Sequence, residues 1–387
     1  MRPRVDRAPN IVAGGPLVTL APSAFRRPAA TYRERAIFRM LSHIDRQILR
    51  SWREYLIEPA LAKLTGRVLR RTGPRIAVLG NCQAYGIAYA LKLLDPTATV
   101  DHFSAIGRNY SDIGLLARTL ATYDHVFAHE FPPGHVRNGG SDVLAELLPK
   151  AVFFPAITFA AFHPDLIYLL DATRGNAQLT RPVGPYHSAL AVFAHRRGLS
   201  VEDSRGLFAT NVFDALGYCD MWNDSVRELL DFCGRYGFDL SGDIMNWSRR
   251  GVFMYSTVHP KAFVLCDLAK RLAERVGLPL RNLDFDLYSI HDLARSEIFP
   301  VYPGIAERYG AKGSYLFKLQ NHHLSAGTGD FMTLPQYLEA CWRVYDQSRP
   351  EQMSHPRIER WLADDKVSAW LVAAARENRS KGLQPVL

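Results

Sequence analysis

The sequence has few cysteines for its length, and they form no pairing pattern. The five lie far apart along 387 residues, at Cys82, Cys219, Cys233, Cys266 and Cys341. An odd, scattered set without a CxxC pair excludes a disulfide framework and a zinc knuckle. His322 and His323 are adjacent, but no carboxylate or third histidine keeps metal-ligand spacing with them. We therefore expect reduced thiols and no bound metal.

Long apolar runs are also missing from the sequence. No stretch approaches the length that crosses a bilayer, and the first residues, MRPRVDRAPNIVAGG, lack the uninterrupted apolar core of a secretory signal. We therefore expect a cytoplasmic protein. The main part of the chain contains neither a P-loop nor a GxGxxG motif, and no recognised nucleic-acid-binding motif accompanies its basic charge. We expect no nucleic-acid partner.

The positive charge is concentrated at the N-terminal end of the chain. Residues 1–72 contain fifteen Lys or Arg and five Asp or Glu, a net charge of +10, whereas the whole chain carries +9. The remainder is therefore close to neutral. Residues 1–30 are rich in Pro, Ala and Arg, a composition that predicts a disordered or loose segment.

Residues 31–72 form a predicted basic helical extension. Apolar side chains recur there at helical spacing with arginines between them, and Pro59 is expected to divide the segment into two helices. The favoured interpretation is a helix packed on the main domain with a solvated basic face. The alternative is a peripheral contact with an anionic membrane.

After residue 73, strand-like runs alternate with helical stretches. The early runs are RIAVLG (75–80), TVDHFSAI (99–106), HVFAHEF (125–131) and AVFFPAI (151–157). This alternation predicts an α/β fold, with helices on both faces of a mostly parallel sheet. A later run, GVFMYSTVHP, predicts a strand that ends at His259. We expect a catalytic domain over residues 73–285 and an extension over 286–387, irregular and then helical from Leu334.

Cys82 lies where the first strand-like run meets a helical stretch. In RIAVLGNCQAYGIAYAL (75–91), apolar residues recur at helical spacing after Gln83. Backbone N–H groups at such a turn are unpaired, and the helix dipole favours negative charge. Both effects lower the pKa of a thiol, so Cys82 is a predicted nucleophile and the turn at Asn81 and Gln83 a predicted oxyanion site. The alternative is a small buried side chain without chemistry.

Four short motifs carry a resemblance to a known family. They are GNCQ (80–83), FHPDL (162–166), HRRGLSVEDSRGLF (195–208) and VHP (258–260), in that order. Together they resemble the WcbI-type polysaccharide biosynthesis family, over roughly residues 74–280. The resemblance implies a three-layer α/β sandwich of SGNH or flavodoxin-like type, with Cys82 in place of the SGNH serine. It also implies an acetyl-coenzyme A dependent O-acetyltransferase that acts on a capsular polysaccharide.

A transfer reaction of this kind needs a base, and His259 is the predicted one. A sugar hydroxyl must lose its proton as it attacks an acyl-enzyme, and imidazole titrates near neutral pH. His259 follows the late strand and lies in the family-like VHP motif. SGNH enzymes place an aspartate three residues ahead of the histidine, but that position is Ser256 here. Asp165 or Glu130 are candidates to orient the imidazole instead.

Other residues follow predicted strands and could line a pocket at the same edge of the sheet. They are Gly80, His129, His163 and Asp165. The favoured interpretation of Asp165 is a turn and helix-start device. His129 is expected to form an exposed, solvated pair with Glu130, and the role of His163 stays open.

Coenzyme A carries phosphates, which require cationic side chains or helix N-termini. Arg108, Arg137 and Lys261 are the candidates, because they neighbour segments at the predicted rim. Acetyl-coenzyme A and a sugar or polysaccharide precursor are thus the expected substrates. Two other functions stay open: an SGNH-type thioesterase or esterase with water as acceptor, and a non-catalytic protein that gathers a polysaccharide machinery at a membrane surface.

Overall fold

The computed structural model describes residues 42–66, 73–105, 111–175, 177–290, 292–320 and 330–383. The predicted loose segment at 1–30 lies outside these residues, and so do Arg108, His322 and His323. All of the described residues belong to one unit of the chain, residues 42–387.

The described chain begins with a helical segment that changes its winding once. Helix α1 (His43–Trp52) starts at a capping box, in which Ser42 and Asp45 each accept a backbone N–H of the other. It continues through a π-helical turn (Arg53–Ile57) into α2 (Glu58–Leu64). Two α-helices are therefore present, as predicted, with Pro59 in the first turn of the second, and a π-helical turn joins them.

One side of α1 packs on the main domain, as the favoured interpretation of this segment predicts. Ile44 and Ile48 are buried, and the Ser51 hydroxyl lies 2.6 Å from the hydroxyl of Tyr123. The indole N–H of Trp52 donates to Thr119 at 3.0 Å. The inner side of α1 is therefore part of the core.

A parallel sheet of four strands forms the centre of the fold. The strands are β1 (Arg75–Gly80), β2 (Thr99–Ser104), β3 (His125–His129) and β4 (Val152–Phe154), in the spatial order β2-β1-β3-β4. The four strands predicted at these positions are confirmed. β1 is buried along its whole length, which explains its continuous apolar sequence.

Helices cover both faces of the sheet and give the predicted three layers. The helices of this part are α3 (Ala84–Leu94), α4 (Ile113–Leu120) and α5 (Ser141–Leu147). Ile76 and Val78 point into one core with α3, whereas Ala77 and Leu79 point into another with α1, α4 and α5. Alternate residues of β1 thus contribute to opposite cores.

The chain then forms short hairpins and a set of helices. The strands are β5 (Leu166–Ile167), which pairs with β8 (His187–Ser188), and β6 (Leu170–Asp171), which pairs with β7 (Ala177–Gln178). The helices are α6 (Ala189–Arg196), α7 (Val201–Arg205), α8 (Thr210–Ala215), α9 (Trp222–Gly234) and α10 (Ser241–Arg249). Short 3-10 turns occur at Ala172–Arg174 and Tyr218–Asp220.

The predicted late strand is a hairpin instead. β9 (Met254–Ser256) and β10 (His259–Pro260) are antiparallel, with His259 opposite Ser256. The prediction of a single strand ending at His259 is wrong because the chain reverses at residues 257–258. Helix α11 (Ala262–Arg275) follows and packs on the same side of the sheet as α3.

The last hundred residues contribute to the main core. They contain 3-10 turns at Phe285–Leu287, Asp292–Arg295 and Pro350–Met353, and the strands β11 (Phe317–Lys318) and β12 (Phe331–Met332). Their helices are α12 (Pro303–Arg308), α13 (Leu334–Tyr345), α14 (Pro356–Ala363) and α15 (Asp365–Ser380). The predicted helix from Leu334 is confirmed. Leu338 and Leu371 share one buried cluster with Leu190 of α6.

Candidate functional site

Cys82 lies in the turn between β1 and α3. In the sheet β1 has β2 on one side and β3 on the other, so this turn is at the switch point where open α/β sheets bind ligands. The Asn81 side-chain oxygen accepts the backbone N–H of Gln83 at 2.9 Å and fixes the turn. Helix α3 begins at Ala84.

Cys82 differs from the other cysteines in exposure and not in acidity. It is partly exposed, whereas the four others are buried. Burial of its sulfur raises the pKa of Cys82 to about 11, although the N–H groups of Cys82 and Gln83 act in the opposite direction. The charge of Asp292 adds to the rise. The expected lowering of the thiol pKa is therefore wrong, because loss of water outweighs the turn.

The Gln83 side chain ties this turn to two distant segments. Its amide nitrogen donates to the carbonyls of Ile157 and Val258, each at 2.9 Å. Its amide oxygen accepts the N–H of Ile157 at 2.9 Å. The side chain is buried, and both hydrogens of the amide are used. Of the predicted oxyanion site, the Gln83 side chain is therefore used by the fold, and the Gln83 backbone N–H is held by Asn81.

The bond to Val258 brings the His259 hairpin to Cys82. A narrow pocket of about 10 Å³, with room for about one water molecule, is lined by Cys82, Tyr255, Pro260 and Asp292 among others. Pro260 directly follows His259. The cysteine and the hairpin that carries the histidine therefore meet at one pocket.

Tyr186 connects His259 to Ser256. The Tyr186 hydroxyl lies 3.1 Å from Nδ1 of His259, and the Ser256 hydroxyl donates to it at 3.0 Å. The position of the SGNH aspartate, Ser256, thus reaches the imidazole through a phenol. Sequence reasoning missed Tyr186, and no motif around it marks it.

Two tyrosines at this place are close enough to Cys82 to interact with its charge. Burial raises the pKa of Tyr168 to about 12, and the charge of Cys82 adds to this rise. Burial also raises the pKa of Tyr186, with a further contribution from Cys82. Tyr186 therefore lies within electrostatic reach of Cys82 and in contact with His259.

The predicted alternatives for orienting His259 are bound elsewhere. Oxygens of Asp165 accept the N–H of Leu190 at 3.0 Å, the hydroxyl of Tyr218 at 3.2 Å and that of Tyr302 at 2.9 Å. Burial raises the pKa of Asp165, and the donors oppose this rise. Asp165 lies in a turn, as its favoured interpretation predicts, but β5 follows it, and the helix start that it supports is that of the distant α6, through Leu190.

His163 and Glu130 also contact residues other than His259. His163 is buried, and burial lowers its pKa to about 3, so it stays neutral within the fold. The carboxylate of Glu130 is exposed and accepts the hydroxyl of Tyr236. Neither contact joins these residues to His259.

His129 is buried, so the expectation of an exposed pair with Glu130 is wrong. Its ring packs on Phe154 in a tilted arrangement, with the ring centres 4.1 Å apart, and a Cβ atom at Gly80 would lie 2.3 Å from Nδ1. Burial lowers the pKa of His129 to about 3. The Pro155 carbonyl opposes this weakly, but neither ring nitrogen makes a hydrogen bond of good geometry within the described residues.

Of the predicted coenzyme A ligands, Lys261 lies near the pocket. Its ammonium is 5.9 Å from the ring centre of Tyr255, a residue of the pocket wall. Burial, with the charge of Arg250, lowers the pKa of Lys261. Arg137 is exposed in the loop after β3, where its carbonyl accepts the N–H of Ile113. No group of three potential metal ligands occurs among the described residues.

Comparisons with known proteins agree with this architecture. A search of curated proteins finds no match. A solved structure of WcbI, a polysaccharide biosynthesis enzyme, matches with a TM-score of 0.53 and 14% identity, over 79% of this chain and 99% of that one. It is described as the native protein without a disulfide bond between coenzyme A and one of its cysteines. The model of the polysaccharide biosynthesis enzyme WcbI family matches residues 75–281, more than half of the sequence. The chain therefore belongs to the WcbI family of polysaccharide biosynthesis enzymes.

Proposed function

We propose that the protein transfers an acetyl group from acetyl-coenzyme A to a sugar hydroxyl of a capsular or exopolysaccharide precursor. Cys82 is the nucleophile and His259 the base. The observation that carries the proposal is the 2.9 Å hydrogen bond from Gln83 to the Val258 carbonyl, which joins the segments that contain them. The partial exposure of Cys82 at the pocket supports the same assignment.

The first half of the reaction acylates Cys82. The sulfur attacks the thioester carbonyl carbon while His259 takes the thiol proton. The bond between that carbon and the coenzyme A sulfur then breaks, and the departing sulfur receives the proton from His259. The products are acetyl-Cys82 and coenzyme A with a free thiol. The backbone N–H of Cys82, which lowers the pKa of the thiol and so acts on its sulfur, supports the oxyanion.

The second half moves the acetyl group to the acceptor. A sugar hydroxyl oxygen attacks the acetyl-Cys82 carbon, and His259 takes the hydroxyl proton. The carbon–sulfur bond breaks, and Cys82 regains its proton from His259. The imidazole returns to its neutral form, so one histidine serves both halves.

The high pKa of Cys82 makes the base necessary. With a pKa of about 11, only about one molecule in ten thousand carries a thiolate at pH 7. Attack must therefore be coupled to proton removal. In the tautomer of His259 that carries its proton on Nδ1, this N–H donates to the Tyr186 oxygen. Nε2 is then the nitrogen that accepts a proton.

Coenzyme A is our choice of acyl carrier, and the solved WcbI structure supports it because its description mentions a disulfide bond between coenzyme A and a cysteine, absent from that form of the protein. In this chain Lys261 offers a cation beside the pocket, and we assign Arg137 and Arg108 to the phosphates as well.

The test is whether acetyl-coenzyme A acetylates Cys82. Intact-protein and peptide mass spectrometry of the wild type should find one acetyl group on Cys82, with release of free coenzyme A thiol. Cys82→Ala should release none, whereas the control Cys233→Ala, altered at a buried cysteine, should behave like the wild type. An unmodified Cys82, or an active Cys82→Ala variant, contradicts the proposal.

The base and the acceptor are tested by a second pair of measurements. His259→Gln should acetylate Cys82 far more slowly, while calorimetry finds coenzyme A affinity within a few fold of wild type. The acetyl-enzyme of the wild type should then be followed in buffer alone. Loss of the adduct to water as fast as it forms would assign the protein as a thioesterase. Absence of both coenzyme A binding and adduct would leave only a non-catalytic role.

A further inference from the structure

The N-terminal helical segment has an apolar side that faces solvent. Six large apolar side chains of this segment are between 38% and 83% exposed: Leu49, Trp52, Leu56, Ile57, Leu61 and Leu64. We call these residues the outer face. A surface helix ordinarily has one apolar stripe towards the core and a polar opposite side. Here Ile44, Ile48 and Ser51 already form the buried side, so the outer face is a second apolar stripe.

The π-helical turn keeps the outer face continuous. Leu49, Trp52 and Leu56 are three and four residues apart, which is the spacing of neighbours on one side of an α-helix. Trp52 and Ile57 are five apart, a spacing that the wide turn at Arg53–Ile57 brings to the same side, and Leu61 follows Ile57 by four residues in α2. Leu64, the most exposed at 83%, extends the stripe to the end of α2.

Two ion pairs lie within the helical segment, whereas the flanking sequence is basic. Arg50 pairs with Glu54 at 2.9 Å and Arg53 with Glu58 at 3.3 Å. Residues 1–72 as a whole carry a net charge of +10. An exposed apolar stripe within a strongly basic region combines the two contributions that bind a helix to an anionic lipid surface.

We propose that the outer face binds the surface of an anionic membrane, with α1 and α2 lying in the plane of the headgroups. A second copy of the chain is the weaker candidate, because two regions of charge +10 repel each other, whereas anionic lipid attracts them. Among the described helices, none is long and apolar enough to cross a membrane. The contact is therefore peripheral, and it does not depend on the proposed acyl transfer.

The experiment is sedimentation of the full chain with vesicles. Deleting the helix is unsuitable, because it would uncover the partners of Ile44 and Ile48. The test variant is Leu56→Gln, Leu61→Gln, Leu64→Gln in one chain, and the matched control is Leu147→Gln with Met245→Gln, which are 51% and 60% exposed elsewhere. Equal thermal unfolding midpoints for the three proteins establish that they are folded.

We expect the wild type and the control to sediment with vesicles of phosphatidylcholine and phosphatidylglycerol, and not with phosphatidylcholine alone. The triple variant should bind at least about tenfold more weakly, and half-molar salt should weaken wild-type binding. Wild-type protein that stays in the supernatant, or equal binding by the triple variant, overturns the proposal. So does ultracentrifugation without lipid, if the wild type dimerises and the triple variant is a monomer.

Discussion

Two motifs of the chain, GNCQ at 80–83 and FHPDL at 162–166, place polar side chains in very different surroundings. Cys82 in the first is partly exposed beside a pocket. His163 and Asp165 in the second are 2% and 0% exposed, and Asp165 is held by three donors. The first motif leaves a reactive atom accessible, and the second uses its polar atoms within the fold.

The difference shows that membership of a motif does not tell whether a residue is available for a reaction or is used to hold the fold together. Within GNCQ itself, Gln83 is as fully used by the fold as Asp165 is. Gly80 is required by the close approach of His129. Exposure at the pocket, and not membership of a motif, favours Cys82 as the residue for the proposed chemistry.

The largest expected effect is on turnover by Cys82→Ser. A serine hydroxyl is far less ionised than a thiol, so acyl transfer should fall by at least about a thousandfold. Stability should stay unchanged, because the substitution leaves the turn and its hydrogen bonds in place. Coenzyme A release and thermal unfolding of the same preparation check both points. Unchanged turnover would show that Cys82 in GNCQ, like Asp165 in FHPDL, is not the nucleophile.

Asp165→Ala should show the opposite pattern. It leaves the donors of Leu190, Tyr218 and Tyr302 without their acceptor in the core, at a cost of about 3–5 kcal/mol in the free energy of unfolding. Urea denaturation measures this cost, and Asp165→Asn, which keeps one acceptor oxygen, should lose less. A fully stable Asp165→Ala variant with low turnover would instead assign Asp165 a role in the reaction.

Tyr186→Phe tests the connection between Ser256 and His259. Without its hydroxyl the imidazole loses a partner at 3.1 Å, and turnover should fall about ten- to a hundredfold through misorientation. The pH dependence of turnover should also shift, which a merely structural change would not cause. Tyr315→Phe is the control, because that hydroxyl bonds the Phe208 carbonyl elsewhere in the core.

The reactivity of Cys82 should rise steadily with pH. Because burial raises its pKa to about 11, the thiol is protonated at pH 7, and alkylation should accelerate about tenfold per pH unit up to about pH 10. Iodoacetamide labelling followed by peptide mass spectrometry provides the rates, and Cys82 should label before the four buried cysteines. A rate that levels off near pH 7 would show that the pKa of Cys82 is lowered, as the turn alone predicts.

The smallest effect is expected for Asp292→Asn. The carboxylate contributes the weakest of the influences that raise the pKa of Cys82, so its removal should shift the alkylation profile slightly to lower pH. Asp286→Asn, which loses an exposed ion pair with Arg250, is the control. A shift to higher pH would contradict the position of Asp292 at the pocket.

The sheet was predictable because local sequence determines it. β1 is buried on both faces, so every residue from Ile76 to Leu79 is apolar, and the turn that follows it is marked by Gly80. The late hairpin was not predictable, because GVFMYSTVHP is as suitable for one strand as for two short ones. The reversal at residues 257–258 is held by contacts such as the bond from Gln83 to Val258.

The acidity of Cys82 and the role of Tyr186 were hidden for a different reason. The turn predicts how backbone N–H groups act on the sulfur, but burial depends on residues that approach from elsewhere, such as Asp292. Tyr186 is 73 residues from His259 in the chain. Neither effect has a local signature in the sequence, because both arise from packing between distant segments.

The hydrogen bond between Gln83 and Val258 determines when the candidate site can form during synthesis of the chain. It joins residues 175 positions apart, so the two halves of the candidate site meet only when most of the chain has left the ribosome. Contacts of such long sequence separation form late and slow folding. A truncated or stalled chain thus carries the proposed nucleophile without the proposed base, so the proposed acyl transfer requires the complete fold.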